Sequence, residues 1–362
     1  MTSLKHASRI LALIFSVYTF SRTRGALDRP LATWDEAIYY NVATNVLDGR
    51  WLLPLHSAAD HPLGVVDPFL HKPPLVYWLF AGGMRLFGEA PSSARLITAV
   101  ATALLVAVAV LLTARLAGLG TAALAGITVS RMPAIFGTHA GNNAATDPFL
   151  VLFSFAAVYA FVLAIDAGDY EPYYAGIAGL LGGFAFLSKG MAAGPIAIGC
   201  LPLAYAVRDE LTYRSWALLF ATAIVVITPW FVAVGFLAPD ELWHQMIQRQ
   251  TVARATGSAF ASNPGTFPFM DAPYFRRAPG YFGVSWWLLP VCVAVLSVDW
   301  FYNGVDRTSL FTIPLFVAIV GIYSVAGNHQ WYFLPAAPAL AILISDTIIK
   351  SLSYKYSVLS DS

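Results

Sequence analysis

Residues 96–114 have the sequence LITAVATALLVAVAVLLTA, which contains nineteen consecutive residues without Asp, Glu, Lys or Arg. A helix of about 20 mainly apolar residues crosses the hydrocarbon core of a bilayer. Four other runs of similar length also lack these four residue types: 148–165, 215–238, 280–298 and 308–327. Five such runs in one chain predict a helical membrane protein that crosses the bilayer many times.

The composition of the whole chain agrees with this prediction. Of its 362 residues, 58% are hydrophobic and only 11% are charged, whereas about 25% of the residues of a soluble domain are charged. The net charge of +1 provides no basic surface for nucleic acid, so no nucleic-acid partner is expected. Cys200 and Cys292 both lie inside apolar segments and build no disulfide framework.

Ten membrane spans are predicted, and they form an all-α bundle over residues 1–362 with no separate soluble domain. The first span has a basic start, but no small-residue cleavage site of a signal peptide follows it, only Ser21-Arg22-Thr23-Arg24. The approximate bounds of the ten spans are 8–21, 93–114, 116–137, 147–165, 172–188, 190–207, 215–238, 280–298, 308–327 and 331–349.

Two connections between the predicted spans are long, 22–92 and 239–279. In the first, Thr33-Trp34-Asp35-Glu36 has the pattern of a capping box, which predicts a helix that ends near residue 48. A second short helix over 73–88 is predicted to lie at the interface or to be re-entrant, because it is too short to span. The first long connection therefore carries juxtamembrane helices.

The distribution of Lys and Arg indicates which side the connections face. With the N-terminus in the cytoplasm, eight Lys and Arg lie on inner segments and five lie on outer segments other than 22–92. This difference favours an integral membrane protein of the cell membrane whose long connections are extracytoplasmic.

Acidic residues of the outer segments are the candidates for catalysis. Asp35 and Glu36 either complement the dipole of the helix that they begin or place a carboxylate where it accepts a proton from a hydroxyl. Asp147, which follows Asn143 in the segment Asn142–Asp147, either caps the next span or holds an acceptor or a divalent cation. Tyr39, one helical turn after Asp35, is a candidate contact for substrate.

Basic residues of the same segments are the candidates for binding an anion. His71-Lys72-Pro73-Pro74 places a cation at a helix start, either as a snorkelling lysine or as part of a phosphate clamp. Lys189 joins two spans with almost no loop and lies at the membrane edge. Further candidates for binding the anion are Arg131 and Arg277. His71, Asn143 and His329 are instead candidates for binding substrate, and His329, in a polar–aromatic link between two spans, either contacts sugar hydroxyls or is part of an interfacial anchor.

Several common kinds of site are absent from the sequence. The seven histidines show no metal-binding spacing, and the chain has neither a P-loop nor a dinucleotide fingerprint. No cofactor is therefore required by the pattern, although Asp35, Glu36 and Asp147 are able to share a divalent cation.

The order of several short motifs resembles that of one family. The chain resembles the protein mannosyltransferase and aminoarabinose transferase superfamily of membrane glycosyltransferases, which have the GT-C fold. The resemblance covers essentially the whole chain and rests on WDEA at 34–37, HKPPLVYW at 71–78, LFG at 86–88, ARL at 94–96, TD at 146–147, LSKG at 187–190, PW at 229–230 and LPAAPAL at 334–340.

This resemblance implies an outward-facing active site, a polyprenyl- or dolichyl-phosphate sugar donor, a hydroxyl acceptor and transfer with inversion. It implies that Asp35 is the acidic residue of the first loop, Asp147 that of the second outer loop, and Lys72 and Lys189 the basic residues near the donor phosphate. Members often have His where this chain has Arg277. A transporter and a non-catalytic membrane subunit are the competing functions.

Overall fold

The computed structural model describes residues 2–31, 34–253, 272–325 and 330–360. These residues form helices and connecting turns, and their only extended pairing is an isolated bridge between His56 and Val66. The principal helices are α1 (Thr2–Thr23), α2 (Trp34–Leu47), α3 (Leu75–Phe87), α4 (Pro91–Arg131), α5 (Asp147–Ile165), α6 (Glu171–Lys189), α7 (Gly194–Ala206), α8 (Tyr213–Leu237), α9 (Ala272–Phe282), α10 (Leu289–Asn303), α11 (Arg307–Val325) and α12 (Ala336–Ser360).

Six helical stretches of the described residues are long and apolar enough to cross a bilayer. They are Pro91–Arg131, Asp147–Ile165, Gly168–Ala206, Tyr213–Leu237, Arg307–Ser324 and Ala336–Ser353. The all-α membrane fold is therefore confirmed, whereas the count of ten spans is not. The span predicted at 147–165 coincides with α5.

Two predicted spans differ from the structure. The spans predicted at 93–114 and 116–137 correspond to the two halves of α4, which are separated by the non-helical Gly118 (φ 86°, ψ 174°), and the second half ends at Arg131 rather than at 137. The helix ends there because Met132 is extended and Pro133 follows it. The run 280–298 is not one helix, since Gly283 has a φ of 61° and separates α9 from the next helical turn.

The juxtamembrane helices of the first connection are α2 and α3, close to the predicted bounds. Thr33, the predicted N-cap of α2, lies outside the described residues. α3 has 13 residues, which at 1.5 Å per residue is about 20 Å and too short to cross the bilayer. α3 packs on α2 and on α4, and Glu36 of α2 is ion-paired with Arg95 of α4, so the first connection lies against the bundle.

Close packing of the spans brings their ends into a fixed arrangement. A Cβ atom on Gly179 of α6 would lie 1.9 Å from the carbonyl oxygen of Leu219 in α8, so only glycine permits this approach. α5 and α6 form a hairpin whose connection is residues 166–170. The first residue of α5 and the last residue of α6 therefore lie at the same face of the bundle.

Candidate active site

Asp35 lies at the first turn of α2, next to a tyrosine and a lysine. The Tyr39 hydroxyl donates a hydrogen bond of 2.9 Å to Oδ2 of Asp35, and the Lys72 ammonium lies 4.0 Å from the same oxygen. Lys72 also lies over the Tyr39 ring, 4.2 Å from its centroid, a cation–π contact that holds the ammonium in place. The Asp35 side chain remains 37% exposed, so its carboxylate is accessible to a ligand.

A second acid–base pair joins α5 and α6. The Lys189 ammonium donates a hydrogen bond of 2.5 Å to Oδ1 of Asp147, and both side chains are buried. Lys189 also lies 5.0 Å from the centroid of the Tyr332 ring. Oδ2 of Asp147 is buried and has no hydrogen-bond partner among the described residues. A buried acceptor without a partner costs free energy unless a ligand or water supplies a donor.

A cavity of about 390 Å³ connects the two pairs. Its polar end is lined by Asp35, His71, Lys72 and Lys189. Most of its other lining is apolar and includes Met191, Pro195, Ile198 and Ile322, although Gln250 and Thr251 also line it. A cavity with an ionic end and a hydrocarbon wall matches an amphipathic ligand whose head is anionic and whose tail is apolar.

The turns that carry the two lysines contact each other. Lys72 precedes Pro73, and Lys189 precedes Gly190, whose φ of 63° is in the left-handed region. A Cβ atom on Gly190 would lie 3.5 Å from Cδ of Pro73. Residues more than one hundred positions apart in sequence therefore meet at one point, as the hypothesis of a shared pocket requires.

His139 is a member of the site that the sequence analysis missed. It is buried, it has a positive φ of 62°, and its Nδ1 lies 3.6 Å from Oδ2 of Asp35. Burial lowers the pKa of His139, and the carboxylates of Asp147 and Asp35 oppose this effect. Strained backbone often marks a functional position. The sequence signal that could have identified His139 is its position eight residues before Asp147, in the same short outer segment.

Glu36 does not line the cavity that Asp35 lines, and its catalytic role stays a prediction. Its carboxylate is fully buried and forms a bidentate ion pair with Arg95 of α4, with distances of 2.7 Å to Nε and 2.9 Å to Nη2. The backbone N–H of Ala144 donates a further hydrogen bond of 2.8 Å to Oε1. Consecutive residues on a helix point about 100° apart, so only one of the two faces the cavity.

The remaining predicted residues are dispersed. Tyr39 contacts Asp35, and His71 lines the cavity and packs on Phe69 with ring centroids 4.5 Å apart. Three others do not line the cavity: Arg131 is exposed at the end of α4, Arg277 is exposed on α9, and Asn143 is half-buried in a turn. His329 lies outside the described residues.

The described residues contain no group of three or more His, Cys, Asp or Glu side chains arranged to bind a metal ion. Asp35 and Asp147 each face a lysine, which supplies the positive charge that a cation would otherwise provide. The proposed sharing of a divalent cation between them stays a prediction.

Several known proteins are similar to this chain in sequence. Residues 71–237 match the family profile of the dolichyl-phosphate-mannose-protein mannosyltransferases. Over 352 residues the chain is 32% identical to an undecaprenyl phosphate-alpha-4-amino-4-deoxy-L-arabinose arabinosyl transferase of Pseudomonas aeruginosa, with 90% of this chain and 57% of that protein covered. The protein of the same description from Pseudomonas savastanoi is 27% identical, with 88% and 57% covered.

Solved structures show the same fold. ArnT from Cupriavidus metallidurans, bound to undecaprenyl phosphate, superposes with a TM-score of 0.72 at 19% identity and covers 94% of this chain. The chain therefore shares the fold of ArnT. The archaeal oligosaccharyltransferase AglB from Archaeoglobus fulgidus, in complex with an inhibitory peptide and a dolichol-phosphate, superposes with a TM-score of 0.63 at 13% identity over 99% of this chain.

The chain spans between half and three fifths of the length of the proteins to which it is similar. It spans 59% of the ArnT chain, 52% of the AglB chain and 57% of the arabinosyl transferases. The range that matches the family profile, residues 71–237, includes Lys72, Asp147 and Lys189 but not Asp35.

Proposed function

We propose that this protein transfers a sugar from a polyprenyl-phosphate carrier to a hydroxyl acceptor, with inversion, at the extracytoplasmic face of the membrane. The observation that carries the proposal is the pairing of the Asp35 carboxylate with the Lys72 ammonium at the polar end of a cavity with apolar walls. The orientation is supported by the excess of Lys and Arg on the segments opposite the site.

Asp35 acts as the general base in this proposal. Its Oδ2 accepts a hydrogen bond from Tyr39 and lies near Lys72, and both contacts favour the ionised carboxylate. The carboxylate removes the proton of the acceptor hydroxyl while the hydroxyl oxygen attacks the anomeric carbon of the sugar. The bond between that carbon and the phosphate oxygen breaks on the opposite face, so the configuration inverts.

Lys72 and Lys189 stabilise the leaving phosphate. A phosphate monoester has a second pKa near ~6, so it leaves as an anion without strong acid assistance. Two preorganised ammonium groups at the polar end of the cavity stabilise the charge that develops on it. Asp147 keeps Lys189 in position through their buried hydrogen bond, and the apolar walls accommodate the polyprenyl chain.

The first donor to test is undecaprenyl phosphate-linked aminoarabinose, since the curated relatives carry that activity in their names. Polyprenyl phosphate-linked mannose is the second, because the matching family is named for it. The acceptor is identified by mass spectrometry of the glycolipids and glycoproteins that are lost when the gene is deleted.

The deciding experiment combines deletion with complementation. We expect the wild-type gene and its Asp48→Asn variant to restore the lost glycan, and Asp35→Asn to leave it absent. Asp48 is a matched control, since it follows the other end of α2 and is exposed. Purified protein in proteoliposomes with labelled donor then separates transfer from transport. Flux of the donor without formation of a product would contradict the proposal.

A further inference from the structure

A second large cavity lies at the membrane face opposite the candidate active site. It has a volume of about 860 Å³ and is bounded by α1, α4, α5 and the start of α6. α5 begins at Asp147 in the active site and ends at Ile165 beside this cavity. Nineteen residues of α-helix are about 28 Å long, so the two cavities are separated by roughly one bilayer core. We call the second one the basic groove.

Positive charge exceeds negative charge in the basic groove. Its lining includes Lys5 and Arg9 of α1, Arg115 of α4 and one carboxylate, Asp166. Asp166 is ion-paired with Arg115. Lys5 and Arg9 make no ion pair with any described residue. An anion that enters the groove therefore meets two cations that are not neutralised.

Hydroxyl groups and leucines complete the lining. Tyr159, Tyr170 and Tyr174 all line the groove, and none of their hydroxyls is hydrogen-bonded to a described residue. Leucines of α1, α4 and α5 line the same groove: Leu4, Leu111, Leu119 and Leu163. The groove therefore combines unneutralised cations, free hydroxyl donors and apolar walls, which is the chemistry of a phospholipid headgroup with the start of its acyl chains.

The geometry points to a binding site for an anionic membrane phospholipid in the basic groove. Cations at the end of a single helix usually only snorkel to the headgroup region. Here the two unneutralised cations of α1 line a cavity that lies between helices and also contains the ion-paired Arg115 of α4, and basic pockets between membrane helices bind anionic lipid headgroups. The break of α4 at Gly118, which lines the groove, makes room for it. The site is independent of the sugar-transfer reaction.

The test is native mass spectrometry of the purified full chain in detergent, titrated with dioleoyl-phosphatidylglycerol, with dioleoyl-phosphatidylcholine or with inorganic phosphate. We expect phosphatidylglycerol to remain bound and phosphatidylcholine to dissociate. We expect a double variant, Lys5→Gln with Arg9→Gln, to bind phosphatidylglycerol about 30-fold more weakly, because each basic residue near a lipid surface contributes roughly 1 kcal/mol.

The matched control is Arg214→Gln, an exposed arginine at the start of α8 on the same membrane face and outside the groove. Its affinity for phosphatidylglycerol should equal that of the wild type. If the double variant does not fold, Tyr170→Phe removes one hydroxyl from an exposed ring, and we expect a loss of a few-fold. Equal binding of both lipids, an equal loss in Arg214→Gln, or displacement of the lipid by inorganic phosphate would each overturn the assignment.

Discussion

Asp35 and Glu36 are neighbours in sequence, and the structure gives them opposite environments. Asp35 is 37% exposed, lines a cavity and faces a lysine at 4.0 Å. Glu36 is fully buried and forms a bidentate ion pair with Nε and Nη2 of Arg95. Arg95 also donates hydrogen bonds to the carbonyl oxygens of Leu27 at 3.0 Å and Pro30 at 2.8 Å. The Asp35 carboxylate is accessible to a substrate, whereas the Glu36 carboxylate holds the first long connection, residues 22–92, against the helix bundle.

This difference shows that adjacent acidic residues in a motif need not share a role. A fully paired, buried carboxylate cannot accept a proton from substrate without breaking the contacts that hold it. A loosely paired carboxylate at a cavity wall can do so. The comparison predicts that substitutions at the two positions separate activity from stability, and five measurements test it.

The largest expected effect is the loss of turnover in Asp35→Asn. Removal of a general base typically lowers the rate about 10²- to 10⁴-fold. The asparagine oxygen still accepts the Tyr39 hydroxyl, so the melting temperature should stay close to that of the wild type. The rate of sugar transfer in proteoliposomes checks this, with Asp48→Asn as control. A variant that turns over normally would remove Asp35 from the mechanism.

Glu36→Gln should have the opposite phenotype. It leaves the buried Arg95 guanidinium without a counter-charge, and breaking such a pair costs about 3–5 kcal/mol. We expect poor yield and a clearly lower melting temperature in fluorescence-detected size-exclusion chromatography. Glu89→Gln, at an exposed position before α4, should behave as the wild type. A Glu36→Gln protein that is fully stable but inactive would restore Glu36 to the catalytic centre.

Lys72→Gln tests whether the lysine of the Asp35–Lys72 pair binds the anion. A charge-assisted hydrogen bond contributes about 1.5–3 kcal/mol, so we expect undecaprenyl phosphate to bind about 10- to 100-fold more weakly. Binding is measured by titration in detergent, with Arg85→Gln at the exposed end of α3 as control. Unchanged affinity in Lys72→Gln would show that the phosphate binds elsewhere.

His139 provides a pH test of smaller size. Its folded-state pKa is lowered by burial, so the unfolded chain binds a proton that the folded protein does not, once the pH falls below the usual value near ~6.5. Stability should therefore decrease as the pH is lowered from about 6.5 toward the lowered pKa. His139→Asn keeps a residue that tolerates a positive φ.

The measurement for His139 is the melting temperature of both proteins at a series of pH values. The decrease on acidification should be shallower in His139→Asn than in the wild type, by at most about 1.4 kcal/mol for each unit of the pKa difference. Parallel curves for the two proteins would show that other groups cause the acid sensitivity.

Chelation should have the smallest effect. Because Asp35 and Asp147 are each neutralised by a lysine, we expect transfer to continue unchanged in the presence of EDTA. Activity that disappears with EDTA and returns with Mg²⁺ or Mn²⁺ would instead show that these carboxylates bind a cation.

The sequence predicted the long helices and a break near Gly118, but it did not predict the break at Gly283. α5 was located to the residue because an uncharged run begins directly after Asp147 and ends before Asp166. The break at Gly283 was missed because hydropathy continues across it, and a single glycine in an apolar run is compatible with either conformation. Periodicity and hydropathy indicate whether a segment lies in the membrane, but they do not indicate whether its helix is continuous.

For the site, the order of motifs placed Asp35, Lys72, Asp147 and Lys189 in one pocket, and the structure brings them together. The sequence could not separate Asp35 from Glu36, since the partner of Glu36, Arg95, lies 59 positions away and belongs to a motif with no apparent chemistry. His139 was missed for a related reason, because its proximity to Asp35 is created only when α4 and α5 pack. Contacts between distant segments decide the role of each charge.

The hairpin of α5 and α6 gives the Asp147–Lys189 pair a mechanical role. The two helices are joined by residues 166–170 at one face of the membrane, and the pair closes their open end at the other. Sliding of one helix past the other by a single turn, 5.4 Å, would pull the ammonium away from its carboxylate. The pair therefore fixes the position of α5 relative to α6 along their axes. A bilayer whose thickness stretches the hairpin would first displace the Lys189 ammonium, at the site where the phosphate is held.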